Sequence, residues 1–85
     1  MKRLLYWAGT CPLCRQGRLI LQRNDATGAI YGHCEECEHG FDGPAGVDAA
    51  RGFLTLTRDY ESSDPNRVEI ERSAWAARVS GLIEH

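Results

Sequence analysis

Two Cys-x-x-Cys pairs, an alternating strand–turn–strand stretch between them, and a capped periodic segment near the C-terminus predict a small metal-bound α+β domain, with a three-stranded antiparallel sheet and one C-terminal helix. At 85 residues the chain has the length of one domain, with a two-knuckle unit at 1–42, a loop at 43–52, a strand at 53–60 and a helix at 65–81. Chains this short bury a modest core, and many need a metal, disulfides or a partner to fold firmly. A composition of 42% hydrophobic and 26% charged residues is too apolar for disorder and too charged for a membrane span.

The first knuckle carries Cys11 and Cys14, the second Cys34 and Cys37, with nineteen residues between the pairs. That spacing fits the C-x₂-C-x₁₅₋₂₀-C-x₂-C pattern of a zinc site. Two cysteines three apart in a tight turn aim both sulfurs at one point. A second turn brought alongside by a hairpin completes a tetrahedron with metal–sulfur distances near ~2.3 Å. One structural Zn2+ is the expected ion, and iron in a rubredoxin-like site, with similar sulfur geometry, stays open. Two disulfides would suit an exported chain. Lys2 and Arg3 ahead of "LLYWA" only loosely mimic a leader, because five apolar residues fall short of the roughly 7–15 of a signal-peptide core. A thioredoxin-like motif has one Cys-x-x-Cys pair in a βαβ context, unlike this chain. His33 and His39 flank the second pair. With four thiols available, they are expected to serve the strand or the surface.

A catalytic zinc keeps one position open for water or substrate. Four cysteines close the shell, so the binding energy of the ion becomes folding energy. No nucleophile elbow, P-loop or His-Glu-x-x-His stretch is present, and no enzyme activity is expected.

The elements follow in order. "RLLYWA" is β-rich and reads as a strand ending at Thr10, with Tyr6 and Trp7 on opposite faces. "GRLILQR" and "AIYGHC" flank the turn-forming "NDATG" and read as the hairpin that joins the knuckles. Residues 38–52 hold Gly40, Gly43, Pro44 and Gly46 and read as loop, with one helical turn after Asp48 as N-cap. "FLTLTRDY" alternates and reads as the third strand. "ESSDPN" reads as a turn. "RVEIERSAWAARVSG" reads as a helix, starting either at Pro65 with Asp64 as cap or after Asn66, with Glu69 completing a capping box. At 100° per residue Val68, Trp75, Val79, Leu82 and Ile83 share one face, and Ile70, Ala74 and Ala77 lie nearly opposite. Two stripes imply burial on two sides or a face kept for a partner. Gly81 is a natural stop. Trp75 is expected in the core, with an exposed anchor as the other reading.

"CPLCRQGRL" followed by "CEEC" resembles a zinc ribbon. A narrower resemblance runs through Cys11, Pro12, Cys14, Gly17, Leu19, Cys34, Glu36, Cys37, Glu38, Phe41, Pro44, Glu69, Ile70, Glu71 and Trp75. These positions are similar to those of small bacterial zinc-ribbon proteins of the immunity type, found beside polymorphic-toxin genes. Phe41 stands where a tryptophan is commoner in that family, and Ala74 where glycine is. The resemblance implies a protein partner, a toxin domain; the expected location is the cytoplasm, because no export signal is read and thiols stay reduced there.

The net charge is −2, and four thiolates on one divalent zinc would bring it near −4. Residues 1–42 balance to zero, while 43–85 carry the deficit. That balance speaks against general nucleic-acid binding, which draws on Lys and Arg. It suits a protein partner with a basic face. The candidate contacts are Glu35, Glu36, Glu38 and Asp42 at the second knuckle, and Asp59, Glu61 and Asp64 near the helix start. The plain alternative is that these are solvated charges. A nucleic-acid- or ribosome-associated ribbon would use Arg15, Arg18 and Arg23 with Lys2 and Arg3, and Tyr6, Trp7 and Tyr31 as stacking platforms. A rubredoxin-like electron carrier is a third reading. No stretch approaches the ~20 apolar residues of a membrane-spanning helix. The oligomeric state is not legible from composition or pattern.

Overall fold

The computed structural model of the chain describes residues 4–55 and 61–84. The strands are β1 (Leu4–Thr10), β2 (Arg18–Asn24), β3 (Ile30–Cys34), β4 (His39–Phe41), β5 (Phe53–Leu54), β6 (Ser62–Ser63) and β7 (Gly81–Glu84). Two helices of five residues each, α1 (Pro44–Asp48) and α2 (Arg67–Glu71), and a 3-10 turn at Ala76–Arg78 complete the described elements. The sheet runs β5-β4-β3-β2-β1-β7, all neighbours antiparallel, with β6 paired to the far end of β2.

The expected hairpin is present. Arg23 pairs with Ile30 and Leu19 with Cys34, so β2 and β3 run in register from the turn to the second knuckle. Asn24 closes the turn three ways. Its backbone N–H donates to Ala29 O at 2.8 Å, its carbonyl accepts from Gly28 N at 2.7 Å, and its side chain accepts from Ala26 N at 2.9 Å. Gly28 sits at φ +78, the left-handed conformation glycine adopts without strain. β1 is also where the sequence places it. A bulge between Trp7 and Thr10 shifts its register on β2, with Gly9 at φ +79.

Alternation gives the sheet two distinct faces. One carries Ala8, Leu19, Leu21, Ile30, Cys34 and Phe41, covered by Ile70 and Trp75 from the C-terminal segment. Gly32 lies flush beneath the indole: a Cβ there would sit 3.1 Å from Cη2 of Trp75. The other face bears a row of one residue per strand, in paired register: Gly81, Trp7, Ile20, His33, Gly40 and Phe53. Its two glycines leave room for rings. A Cβ on Gly81 would lie 2.7 Å from Nε1 of Trp7, and one on Gly40 2.6 Å from Cζ of Phe53.

Several expectations give way here. Among the described residues the sheet has seven strands rather than three, and two short helices stand in place of the single long one. The segment expected as a helix over 65–81 is α-helical only at Arg67–Glu71, with a 3-10 turn at Ala76–Arg78. Asn66, not Asp64, caps it through a capping box with Glu69. The helix stops because Ser73 competes for its backbone. Ser73 Oγ donates to Ile70 O at 2.7 Å and accepts from Trp75 N at 3.1 Å. Leu82 and Ile83 then pair with Tyr6 and Leu5 as β7. In the expected loop, β4 and α1 appear. α1 starts at Pro44 behind Gly43, where a proline needs no N–H partner. Asp48 is therefore the last helical residue and not a cap; its carboxylate takes two bonds from Arg78, at 3.0 and 2.6 Å. The expected turn at 61–66 contains β6. Of the strand expected at 53–60, Phe53–Leu54 is extended, and residues 56–60 lie outside the described residues. No described helix is long and apolar enough to cross a membrane.

Candidate metal centre

The first knuckle leaves β1 at Thr10 and enters β2 at Arg18. Its loop is closed by Cys11 N donating to Gly17 O at 2.8 Å and Arg15 N donating to Cys11 O at 3.0 Å. Gly17 N then points at Cys14 Sγ, 3.5 Å away. The second knuckle joins β3 to β4, and Cys34 Sγ accepts from Glu36 N and Cys37 N, each at 3.4 Å. The two loops share a backbone device. The residue after the second cysteine is left-handed in both, Arg15 at φ 59 and Glu38 at φ 61. That conformation turns the chain sharply enough to aim both sulfurs inward. Gly17 seats the loops together, because a Cβ there would lie 2.5 Å from Cys34 Sγ.

The four sulfurs of Cys11, Cys14, Cys34 and Cys37 all lie within 4.8 Å of one another. Cys11 and Cys37 are 3.6 Å apart, and Cys14 and Cys34 3.5 Å. A tetrahedral site with metal–sulfur bonds of ~2.3 Å has edges of about 3.8 Å, so the cluster is sized for one ion. Cys11 and Cys34 are buried, Cys14 and Cys37 half-buried. The N–H groups of Gly17 and Gln16 lower the Cys14 thiol to about 6. Burial, followed by the crowding of neighbouring sulfurs, pushes Cys37 up to about 12. Burial likewise raises Cys34. Four sulfurs this close disfavour joint ionisation unless a cation neutralises them, which is what a thiolate metal site supplies.

Comparison of the chain with protein-family models, with curated proteins and with solved structures gives no match. The reading of the centre therefore stands on its own residues.

The histidines stay out of the cluster. Both lie on strands, half-buried, and His33 Nε2 and His39 Nδ1 are buried without a hydrogen-bond partner. The acidic candidates divide. Glu35 is committed to Arg18: it accepts from the backbone N at 2.8 Å, from Nε at 2.6 Å and from Nη2 at 3.1 Å. Asp64 accepts from Gln22 Nε2 at 2.9 Å and is half-buried. Glu36 and Glu38 are exposed on the second knuckle, Asp42 is exposed just after β4 at the end away from that knuckle, and Glu61 is exposed beside β6. Asp59 lies outside the described residues.

The basic and aromatic candidates do not converge. Arg18 is paired with Glu35. Arg23 is held by Asp25, Ser63 and Glu69, the last across the sheet from α2. Tyr6 packs on the core face beside α2, while Trp7 lies on the opposite face. Tyr31 is 6% exposed and cannot act as a stacking platform. Arg15 is exposed, and Lys2 and Arg3 lie outside the described residues. The sequence reading missed the Arg23–Glu69 link. The signal for it was the capping-box residue Glu69, whose second carboxylate oxygen remained to be placed.

Proposed function

We propose that the chain is a zinc ribbon in which Cys11, Cys14, Cys34 and Cys37 hold one structural Zn2+, and that it works as a cytoplasmic protein-interaction module rather than an enzyme. In its sharpest form it is a bacterial immunity protein that binds and neutralises a toxin domain. The observation that carries the reading is the closed set of four cysteines with exposed carboxylates nearby in sequence, Glu36 and Glu38 on the second knuckle and Asp42 after β4. A shell filled by thiolates leaves no open position for substrate. Free carboxylates near a site of net charge −2 attract a basic partner and speed its association. The family resemblance supports the toxin as that partner. The internal pairing of Arg18 and Arg23 favours this reading over nucleic acid, since those cations are not free for phosphates.

The test is co-expression with the product of the gene immediately upstream, assayed for toxicity. The expected outcome is cell rescue and a 1:1 complex carrying one equivalent of zinc. Steeply salt-dependent binding to mixed RNA, with no such complex, overturns the interaction reading. Visible absorption from an iron–thiolate centre overturns the zinc assignment alone.

A further inference from the structure

β7 closes one edge of the sheet. Among the described residues it pairs with β1 alone, so no strand lies along its outer side. The devices that blunt an edge strand are missing from it. Gly81–Glu84 holds no lysine or proline, and its register on β1 runs without a bulge through all four residues. The opposite edge, β5, is only two residues long, which is itself a way of blunting an edge.

The two faces of β7 differ. On the core face Leu82 lies opposite Tyr6 and is 51% exposed, and Leu4, two residues from Tyr6, extends the same apolar surface at 48% exposed. Gly81 and Ile83 lie on the other face. There the indole of Trp7 reaches over Gly81, with Nε1 2.7 Å from where a Cβ would stand. The edge strand thus offers a glycine roofed by an aromatic ring, and two residues on, a branched aliphatic side chain on the same face.

We propose that β7 is a self-association edge: two copies of the chain pair their β7 strands antiparallel about a two-fold axis through Leu82, joining their sheets into one. Strand addition of this kind draws affinity from backbone hydrogen bonds and selectivity from the side chains set opposite one another. A two-fold axis normal to the sheet keeps core face beside core face, so each residue pairs with one of its own parity. Centring on Leu82 sets it against Leu82 of the second copy on the core face. On the other face it sets Ile83 against Gly81 of the second copy, twice by symmetry, so each isoleucine meets the edge of an indole. Centring on Ile83 would set Leu82 against Glu84, an apolar side chain against a carboxylate. Centring on Gly81 would put two residues without side chains at the axis. Charge favours the same arrangement. Antiparallel pairing carries the two Glu84 carboxylates to opposite ends of the ladder, whereas parallel in-register pairing would set them side by side. The surface uses none of Glu36, Glu38 and Asp42, so it stands whether or not a toxin is the partner of those carboxylates.

The experiment uses the full chain, loaded with metal and kept reduced. Sedimentation equilibrium from about 10 µM to about 1 mM should show a monomer–dimer equilibrium. Amide exchange followed by NMR should slow within Gly81–Glu84 as the concentration rises, while β5 stays unchanged. Leu82→Lys and Leu82→Glu each place like charges at the axis. Each alone should remain a monomer throughout, with the metal content of the parent. An equimolar mixture of the two should associate again, because a residue on the axis meets its own counterpart. A parent chain that stays monomeric at about 1 mM overturns the proposal. So does a dimer that Leu82→Lys leaves intact, a dimer whose protected amides lie in β5 rather than β7, or a mixture of the two variants that stays monomeric.

Discussion

The indole Nε1 of Trp75 donates to the backbone carbonyl of Ile30 at 3.1 Å, joining residues 45 apart in a buried bond. It fixes the C-terminal segment over the core face of β2 and β3. The ring itself is 2% exposed and lies on Gly32. Trp75→Phe keeps most of the packing but removes the donor, and should cost roughly 2–3 kcal/mol in denaturant unfolding of the metal-loaded protein. Gly32→Ala should also destabilise, because its Cβ meets the indole at 3.1 Å. An unchanged midpoint for Trp75→Phe would show that the bond to Ile30 contributes nothing net.

The metal and the fold should be lost together. Cys34→Ser removes the buried sulfur that accepts two N–H groups and faces Cys14. Under reducing conditions, metal content and the cooperative thermal transition should disappear in the same variant, and a chelator should do likewise to the parent chain. Gly17→Ala makes the point without touching a ligand, since its Cβ would press on Cys34 Sγ at 2.5 Å. Metal analysis and circular dichroism on the same sample decide this. A Cys34→Ser chain that melts cooperatively without metal sinks the structural role.

Both knuckles carry a non-glycine residue in the left-handed region, Arg15 and Glu38. That backbone costs an L-residue roughly 1–2 kcal/mol, part of which glycine gives back through its flexibility in the unfolded chain. Arg15→Gly and Glu38→Gly should each stabilise the metal-loaded protein by about 0.5–1 kcal/mol. Both residues are exposed and neither side chain is a ligand, so metal stoichiometry should stay at one. Chemical denaturation of each variant beside the parent reads the effect; a loss of stability would contradict the strain argument.

Acid should loosen the join between α2 and the hairpin. The Arg23 guanidinium beside Glu69 holds its carboxyl below the ordinary value of 4.5, and Ser63 and Arg23 hold Asp25 below 3.8. A carboxyl depressed in the folded state contributes stability that is present above its unfolded value and lost as pH falls through the folded one. Thermal stability should therefore decline below about pH 4.5, and less steeply in Glu69→Gln, which has no such proton to gain. Identical pH slopes for Glu69→Gln and the parent would remove this pair from the account.

The hairpin and both knuckles are legible because their signals are local. Leu19 and Leu21 alternate across a strand, Asn24 to Gly28 form the turn, and Cys-x-x-Cys spacing presents two sulfurs at once. The C-terminal segment is not legible in the same way. Val79, Leu82 and Ile83 fit a helical stripe as well as a strand, and what decides between them is the pairing of Leu82 with Tyr6, across most of the chain. The Ser73 hydroxyl that ends α2 is likewise ambiguous until Ile70 O and Trp75 N are seen to meet it. At the metal centre the ligand residue types and spacing are local, but Gly17 becomes essential only once Cys34 lies beneath it. The acidic rim divides on the same principle. Glu35 and Glu36 are neighbours in sequence, and only the strand register gives Arg18 to Glu35.

That division yields the sharpest prediction for a partner. Glu36, Glu38 and Asp42 are exposed and free to meet a basic surface, whereas Glu35 is committed to Arg18 at 2.6 Å. Charge reversal of the free set, Glu36→Lys, Glu38→Lys and Asp42→Lys together, should slow association with the proposed protein partner by roughly tenfold or more at low salt, and much less at high salt. The metal content and melting temperature should barely change, because none of the three side chains holds the fold. Glu35→Gln should do the converse, lowering stability slightly through the lost pair with Arg18 while leaving the association rate close to that of the parent. Surface plasmon resonance at two ionic strengths, beside a melting curve for each variant, separates the two roles. If the triple reversal leaves the association rate unchanged, the second knuckle is not the docking rim.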